Sequence, residues 1–142
     1  MSYATLAEFS TYGGLPATAL GTLTTTQQQG QLDAATDEMN TYLAGRYSMP
    51  LLVWDNSIKA KCCEIAAYKM ICLRGFNPGS GADVNLRMRY LDAVKWCEVV
   101  RNKSIHPTVT ETAQPSPTLS QPKILTSSMV TTGGATGTTR GW

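Results

Sequence analysis

Histidine occurs once in this chain of 142 residues, at His106. A Ser-His-Asp or Cys-His catalytic arrangement could draw only on that residue. It stands beside Pro107 and reads as a solvent-facing linker residue. Cysteine occurs four times, at Cys62, Cys63, Cys72 and Cys97, but with no C-x-x-C pair, so the spacing matches no zinc pattern. Charge of one sign is also lacking. Twelve Lys and Arg against ten Asp and Glu leave a net charge of +2. A domain whose main task is gripping phosphates usually carries a strong basic bias. No apolar run reaches the length of about 20 residues that a membrane-spanning helix needs. The opening Met1-Ser2-Tyr3-Ala4-Thr5 lacks the charged start and apolar stretch of a signal peptide. These absences describe a soluble chain made in a cytoplasm, with no membrane partner. In that compartment thiols stay reduced, so buried free cysteines are expected rather than disulfides. Asp33 and Asp37 share a helix face, but a carboxylate pair at that spacing is common on exposed helices. With no paired-acid, metal or nucleotide motif, neither enzymatic activity nor a cofactor is expected.

What is present changes character near His106-Pro107. Residues 1–106 hold nearly all the charge and the helical periodicity. Residues 107–142 are rich in Thr, Ser, Pro and Gly, with only Glu111, Lys123 and Arg140 charged. The division reads as a helical domain, 1–106, and an extended assembly tail, 107–142.

Within the domain, Thr5-Leu6-Ala7-Glu8 has the spacing of a capping box and opens a short helix with Leu6, Phe9 and Tyr12 on its apolar face. Gly13-Gly14 ends it, and Pro16 can start another single turn. A long helix runs from Thr24 or Thr25 to Tyr47, with Leu32, Ala35, Met39, Tyr42, Leu43 and Arg46 at steps of three and four. A third follows the N-cap types Asp55-Asn56-Ser57 and reaches Arg74, with Gly75 as C-terminal cap. Its alanines and cysteines make it small-sided and place it centrally. A fourth starts near Ala82-Asp83 and carries Leu86, Tyr90, Ala93 or Val94, Trp96 or Cys97, and Val100 to Arg101. The glycines between Asn77 and Gly81 do not form G-x-x-x-x-G-K-[ST] and follow no predicted strand, so they mark a turn rather than a phosphate cradle. Connections are short, so neighbouring helices are antiparallel. Trp54 and Trp96 read as packing residues. The fold class is all-α: a small antiparallel bundle of three main helices preceded by short N-terminal ones, with a long tail behind it.

The run Tyr42-Leu43-Ala44-Gly45-Arg46-Tyr47-Ser48-Met49-Pro50-Leu51 is a helix stop. Met49 precedes a proline and is pushed out of the α region. Pro50 offers no N–H. Gly45 weakens the last turn or lets backbone pass close to something. In the tail, Lys123-Ile124-Leu125-Thr126-Ser127-Ser128-Met129-Val130-Thr131-Thr132 is β-favouring and nearly uncharged. By itself the tail cannot bury enough apolar surface to offset its ordering entropy. Fully extended, 107–142 would span roughly 120 Å, against a radius of gyration of about 13 Å for a domain of this size. It can therefore reach a neighbouring subunit and add a strand to an exposed sheet edge, with Trp142 as an aromatic anchor.

The Arg46-to-Leu51 corner, the opening Tyr3-to-Phe9, the Leu32–Pro50 helix and corner, the Cys63–Leu73 helix and the Arg89-Tyr90 helix occur in an order that resembles the head–tail connector (adaptor, or head completion) proteins of tailed bacteriophages. The resemblance covers most of 3–104 and leaves the tail outside. It implies an all-helical structural virion subunit of a homo-oligomeric, dodecameric ring, docked beneath the portal protein at the head–tail junction and assembled in the host cytoplasm. Such a ring extends the DNA channel, through which genomic DNA passes without sequence specificity. It also offers a platform to the stopper or tail-terminator protein. Partner contacts are then expected at Arg46, Tyr47, Lys123, Ile124, Leu125, Met129, Val130 and Trp142, and channel-facing cations at Arg87, Arg89, Arg101 and Lys103. A different class remains open: a small cytoplasmic helical DNA-binding protein using the same four cations.

Overall fold

In a computed structural model of the chain, residues 1–113 are described, the side chain of Ala17 excepted. The tail positions Lys123, Ile124, Leu125, Met129, Val130 and Trp142 lie outside them. The described elements are helix α1 (Leu6–Tyr12), a 3-10 turn (Ala17–Leu20), α2 (Thr25–Leu43), strand β1 (Leu51–Trp54), α3 (Asn56–Arg74), α4 (Gly81–Arg101) and strand β2 (Val109–Glu111). The all-α reading holds, with one short antiparallel ribbon added.

Local chemistry sets most boundaries. Thr5 caps α1 with the expected reciprocal pair: its hydroxyl accepts from the Glu8 N–H at 3.1 Å, and its own N–H donates to the Glu8 carboxylate at 2.9 Å. Thr24 and Gln27 do the same for α2. Asp55 caps α3 by accepting from the N–H groups of Ser57 and Ile58. Gly75 closes α3 at φ 123°, where a side chain would be strained.

α3 is the element on which α1, α2 and α4 all pack. Ile58, Cys62, Cys63, Ile65, Ala66, Ala67, Met70 and Ile71 are all buried along it. They meet Leu32, Ala35, Met39 and Leu43 of α2, and Leu86, Ala93, Cys97 and Val100 of α4, in one core that also takes in Phe9 and Tyr3. Polar ties bind the same three helices: Glu38 of α2 receives Lys69 of α3 and the Tyr90 hydroxyl of α4, each at 2.8 Å.

Two features depart from the sequence reading. α2 stops at Leu43, four residues before Tyr47. The Arg46 and Tyr47 N–H groups both donate to the Leu43 carbonyl, at 2.9 and 2.8 Å, so the chain winds down in tight turns. Gly45 is there for close approach: a Cβ at this position would lie 3.1 Å from the Arg101 side chain. The second departure is the ribbon. The chain does not leave the body at Pro107, and the compact unit runs to Thr112. β2 pairs antiparallel with β1, Leu51 opposite Glu111 and Trp54 opposite Val109, with an irregularity between Leu51 and Val53. Strands of four and three residues are too short to show a period in sequence.

Cys62, Cys63 and Cys97 are buried and free, as expected, whereas Cys72 is exposed. Burial pushes the Cys62 thiol up to about 11 and those of Cys63 and Cys97 up to about 12. Thiolate is the reactive form, so an aromatic disulfide reagent should titrate Cys72 rapidly in the native protein and the other three only on unfolding. Comparable rates for all four would contradict this core. Leu32→Ala, at a fully buried site, should cost roughly 2–5 kcal/mol in urea denaturation.

Candidate partner-binding surfaces

The corner after α2 is built around Arg46. Its guanidinium donates to the carbonyls of Val100, at 2.8 Å, and Ile105, at 2.6 Å, and also meets His106 Nδ1. Val100 lies in the last turn of α4, where carbonyls lack intrahelical partners and a cation is favoured. The same guanidinium lies 4.8 Å from the centre of the half-buried Tyr47 ring, a cation–π distance. Burial, against the opposing effect of Arg46, raises the Tyr47 pKa. Arg46 therefore ties the end of α2 to the end of α4 and to the segment leading into β2. His106, although exposed, is part of that tie.

Asp55 makes the parallel connection one element later. One carboxylate oxygen caps α3, and the other accepts the Thr108 N–H at 2.9 Å. Burial pushes its pKa up, but the hydrogen bonds from Ser57, Thr108 and Ile58 outweigh it and leave the carboxyl below its ordinary value. The Ser48 N–H donates to the Glu111 carboxylate at 2.6 Å, and the Thr112 hydroxyl donates to the Pro50 carbonyl. The corner and the ribbon thus form one hydrogen-bonded piece.

The four cations expected to face a channel occupy different settings. Arg87 and Lys103 are exposed. Lys103 adopts φ 66° in the turn that closes α4. Arg101 is exposed too, with its methylenes laid over Gly45. Arg89 is half-buried. It donates to the carbonyls of Gly13 and Tyr12, at 3.1 and 3.3 Å, and lies 3.6 Å from the Glu64 carboxylate, clamping the end of α1 against α4. Arg74 works likewise, bridging the Ala19 carbonyl and the buried Asp83, each at 2.8 Å.

Two apolar surfaces were missed from sequence. Val84, Met88 and Leu91, exposed on α4, recur at i, i+4 and i+7. The spacing was visible, but the stripe through Leu86, Ala93 and Val100 on the same helix accounted for its periodicity alone. The other surface is at β1, where Leu52 and Val53 are 58% and 59% exposed. With Trp54 they border a groove of about 370 Å³ whose other wall is the Met1–Thr5 stretch and Glu8. Trp54 is held there by its indole N–H, which donates to the Tyr3 carbonyl at 2.8 Å, and by an edge contact with the Tyr3 ring. Tyr3 is fixed in turn by the Thr36 hydroxyl, which accepts its N–H at 2.9 Å.

Asp55→Asn should separate the two roles of that carboxylate. Asparagine caps a helix as well as aspartate, but its amide turns a donor towards the Thr108 N–H. The expected loss is about 0.5–1.5 kcal/mol, with faster hydrogen exchange at Val109–Glu111 and unchanged protection in α3. Glu8 is also held below its ordinary value, first by the hydrogen bond from Lys59. Groups with depressed folded values stabilise above the ordinary carboxylate range and lose that contribution as pH falls through the folded value. Stability should therefore decline below about pH 4, and less steeply in Asp55→Asn, as read from denaturation midpoints across pH.

Among the described residues there is no cluster of three or more His, Cys, Asp or Glu side chains that could hold a metal, and no helix long and apolar enough to cross a membrane. No curated protein matches the chain. Residues 3–125 match the family described as Bacteriophage Mu, Gp36. That match takes in every described element from α1 to β2, and the chain belongs to the bacteriophage Mu Gp36 family.

Proposed function

We propose that this protein is a head–tail connector: a subunit of a dodecameric ring beneath the portal protein that extends the DNA channel and joins the capsid to the stopper or tail-terminator protein. Membership of a phage family across nearly the whole chain supports a virion or assembly role. The observation that carries the narrower reading is the pair of exposed apolar surfaces, Val84-Met88-Leu91 on α4 and Leu52-Val53 on β1. A subunit that contacts neighbours on several sides needs such surfaces, and a heterologous ring uses two different ones. The rigid corner at Arg46 and Asp55 supports the same reading, because a ring closes only if every copy holds the same shape. On this reading Arg87, Arg101 and Lys103, exposed and in no ion pair among the described residues, are better placed than Arg89 to meet DNA in the lumen without sequence specificity. Residues beyond Thr112 act as an arm between subunits or onto the portal. The ring works by binding and geometry, with no bond chemistry. It sits at the head–tail junction of the virion and is assembled in the host cytoplasm.

Infection without this protein should yield DNA-filled heads and free tails that do not join, seen by electron microscopy of the lysate. Full-length protein supplied in trans should restore joined particles. A chain ending at Thr112 should keep its helical circular dichroism, because its core is complete, but should fail to restore them. Joined particles in the absence of the protein would refute the proposal.

A further inference from the structure

β1 and β2 form a ribbon of only two strands, so each has an outer edge. Among the described residues, no backbone hydrogen bond joins β1 to anything but β2. An unpaired edge is a template for another strand, and although this one is short and irregular between Leu51 and Val53, its exposed residues Leu52 and Val53 carry no charge that would repel one. Leu51-Leu52-Val53-Trp54 has no charge and no proline. Beside it lies the groove lined by Met1, Tyr3 and Ala4 and by the ion-paired Glu8 and Lys59.

The sequence supplies a matching strand. Ile124–Thr132 contains no charged residue and no proline or glycine, and Leu125 and Met129 would fall on the same face of an extended chain. An uncharged strand along the uncharged residues of this edge brings no new charge to bury, and its backbone hydrogen bonds supply affinity. The linker sets how far that strand can reach. Positions 113–122 include Pro115, Pro117 and Pro122, a composition that favours a semi-rigid extended spacer of about 3.1 Å per residue, roughly 31 Å in all. β2 ends opposite Leu51 of its own ribbon, and paired strands lie only about 5 Å apart. A spacer with that reach is long enough to carry the strand past its own ribbon to a neighbouring copy.

The geometry points to an arm exchange: Ile124–Thr132 of one copy lies along β1 of the next as a third strand, with Leu125 and Met129 over the groove at Leu52, Val53 and Trp54. This inference rests on the proposed ring only in requiring that copies of the chain assemble side by side.

The test mixes isotopically heavy full-length chains, bearing a benzophenone side chain at position 52 or 53, with light unmodified chains. The mixture is assembled, irradiated and analysed by peptide mass spectrometry. The expected product joins the heavy probe to a light peptide from 124–132. With Leu125→Pro in the light chain, which removes a ladder donor, that product should fall about tenfold while circular dichroism stays unchanged. Probe products confined to heavy 124–132 peptides would place the strand on its own chain and overturn the inference. So would products at any other surface. If assembly proceeds but the products lie elsewhere, the arm exchange alone fails. If the chain stays monomeric at every concentration, with and without portal protein, the ring reading fails along with it.

Discussion

The fold depends on α3 being small enough to be surrounded. Cys62, Cys63, Ala66 and Ala67 let neighbouring helices approach closely, while Ile58, Ile65, Met70 and Ile71 fill the spaces between them. Close packing leaves little room for larger side chains at such positions. The other helices and the 3-10 turn are placed by reference to this helix: α1, α2 and α4 all pack on it. The thiols there act as small apolar groups, and their burial keeps them protonated and inert.

Around that core, long side chains connect parts that are distant in sequence. Arg46 reaches the end of α4, Asp55 reaches Thr108, Arg89 reaches the end of α1, and Arg74 reaches Ala19. In each case a helix end or a turn offers backbone groups, the Val100 carbonyl also taking the Lys103 N–H, and one charged side chain ties them to a distant element. The result is a body whose corners are fixed while two apolar surfaces, on α4 and at β1, remain exposed. A member of a bacteriophage family with this distribution has the features of a part made to be built into something larger.

Much of this was legible in the sequence. The Thr5–Glu8 capping box and the caps at Asp55 and Gly75 followed from local rules whose partners lie within a few residues, while the central position of α3 and the packing role of Trp54 followed from residue type: small side chains for the one, a large ring for the other. The early stop of α2 was not legible, because it depends on Arg46 finding carbonyls more than fifty positions away. The ribbon escaped for a similar reason: Val109–Glu111 becomes a strand only through Leu51–Trp54 and the contacts of Asp55 and Ser48. The family resemblance gave Arg46 to a partner and Arg89 to a DNA channel. The structure uses both within the subunit, since a guanidinium's five donors suit carbonyl clusters as well as phosphates. The second stripe of α4, at Val84, Met88 and Leu91, was present in the sequence but overlaid by the core stripe of the same helix.

The account turns on where this subunit sits and how many copies sit there. The most direct measurement is electron cryomicroscopy of the virion neck, or of the purified protein mixed with its portal, with rotational symmetry determined without imposing it. The account predicts a closed ring of this chain in contact with the portal, its lumen continuous with the portal channel. Density for the chain elsewhere in the particle, or a protein that remains monomeric beside an intact portal, would contradict it.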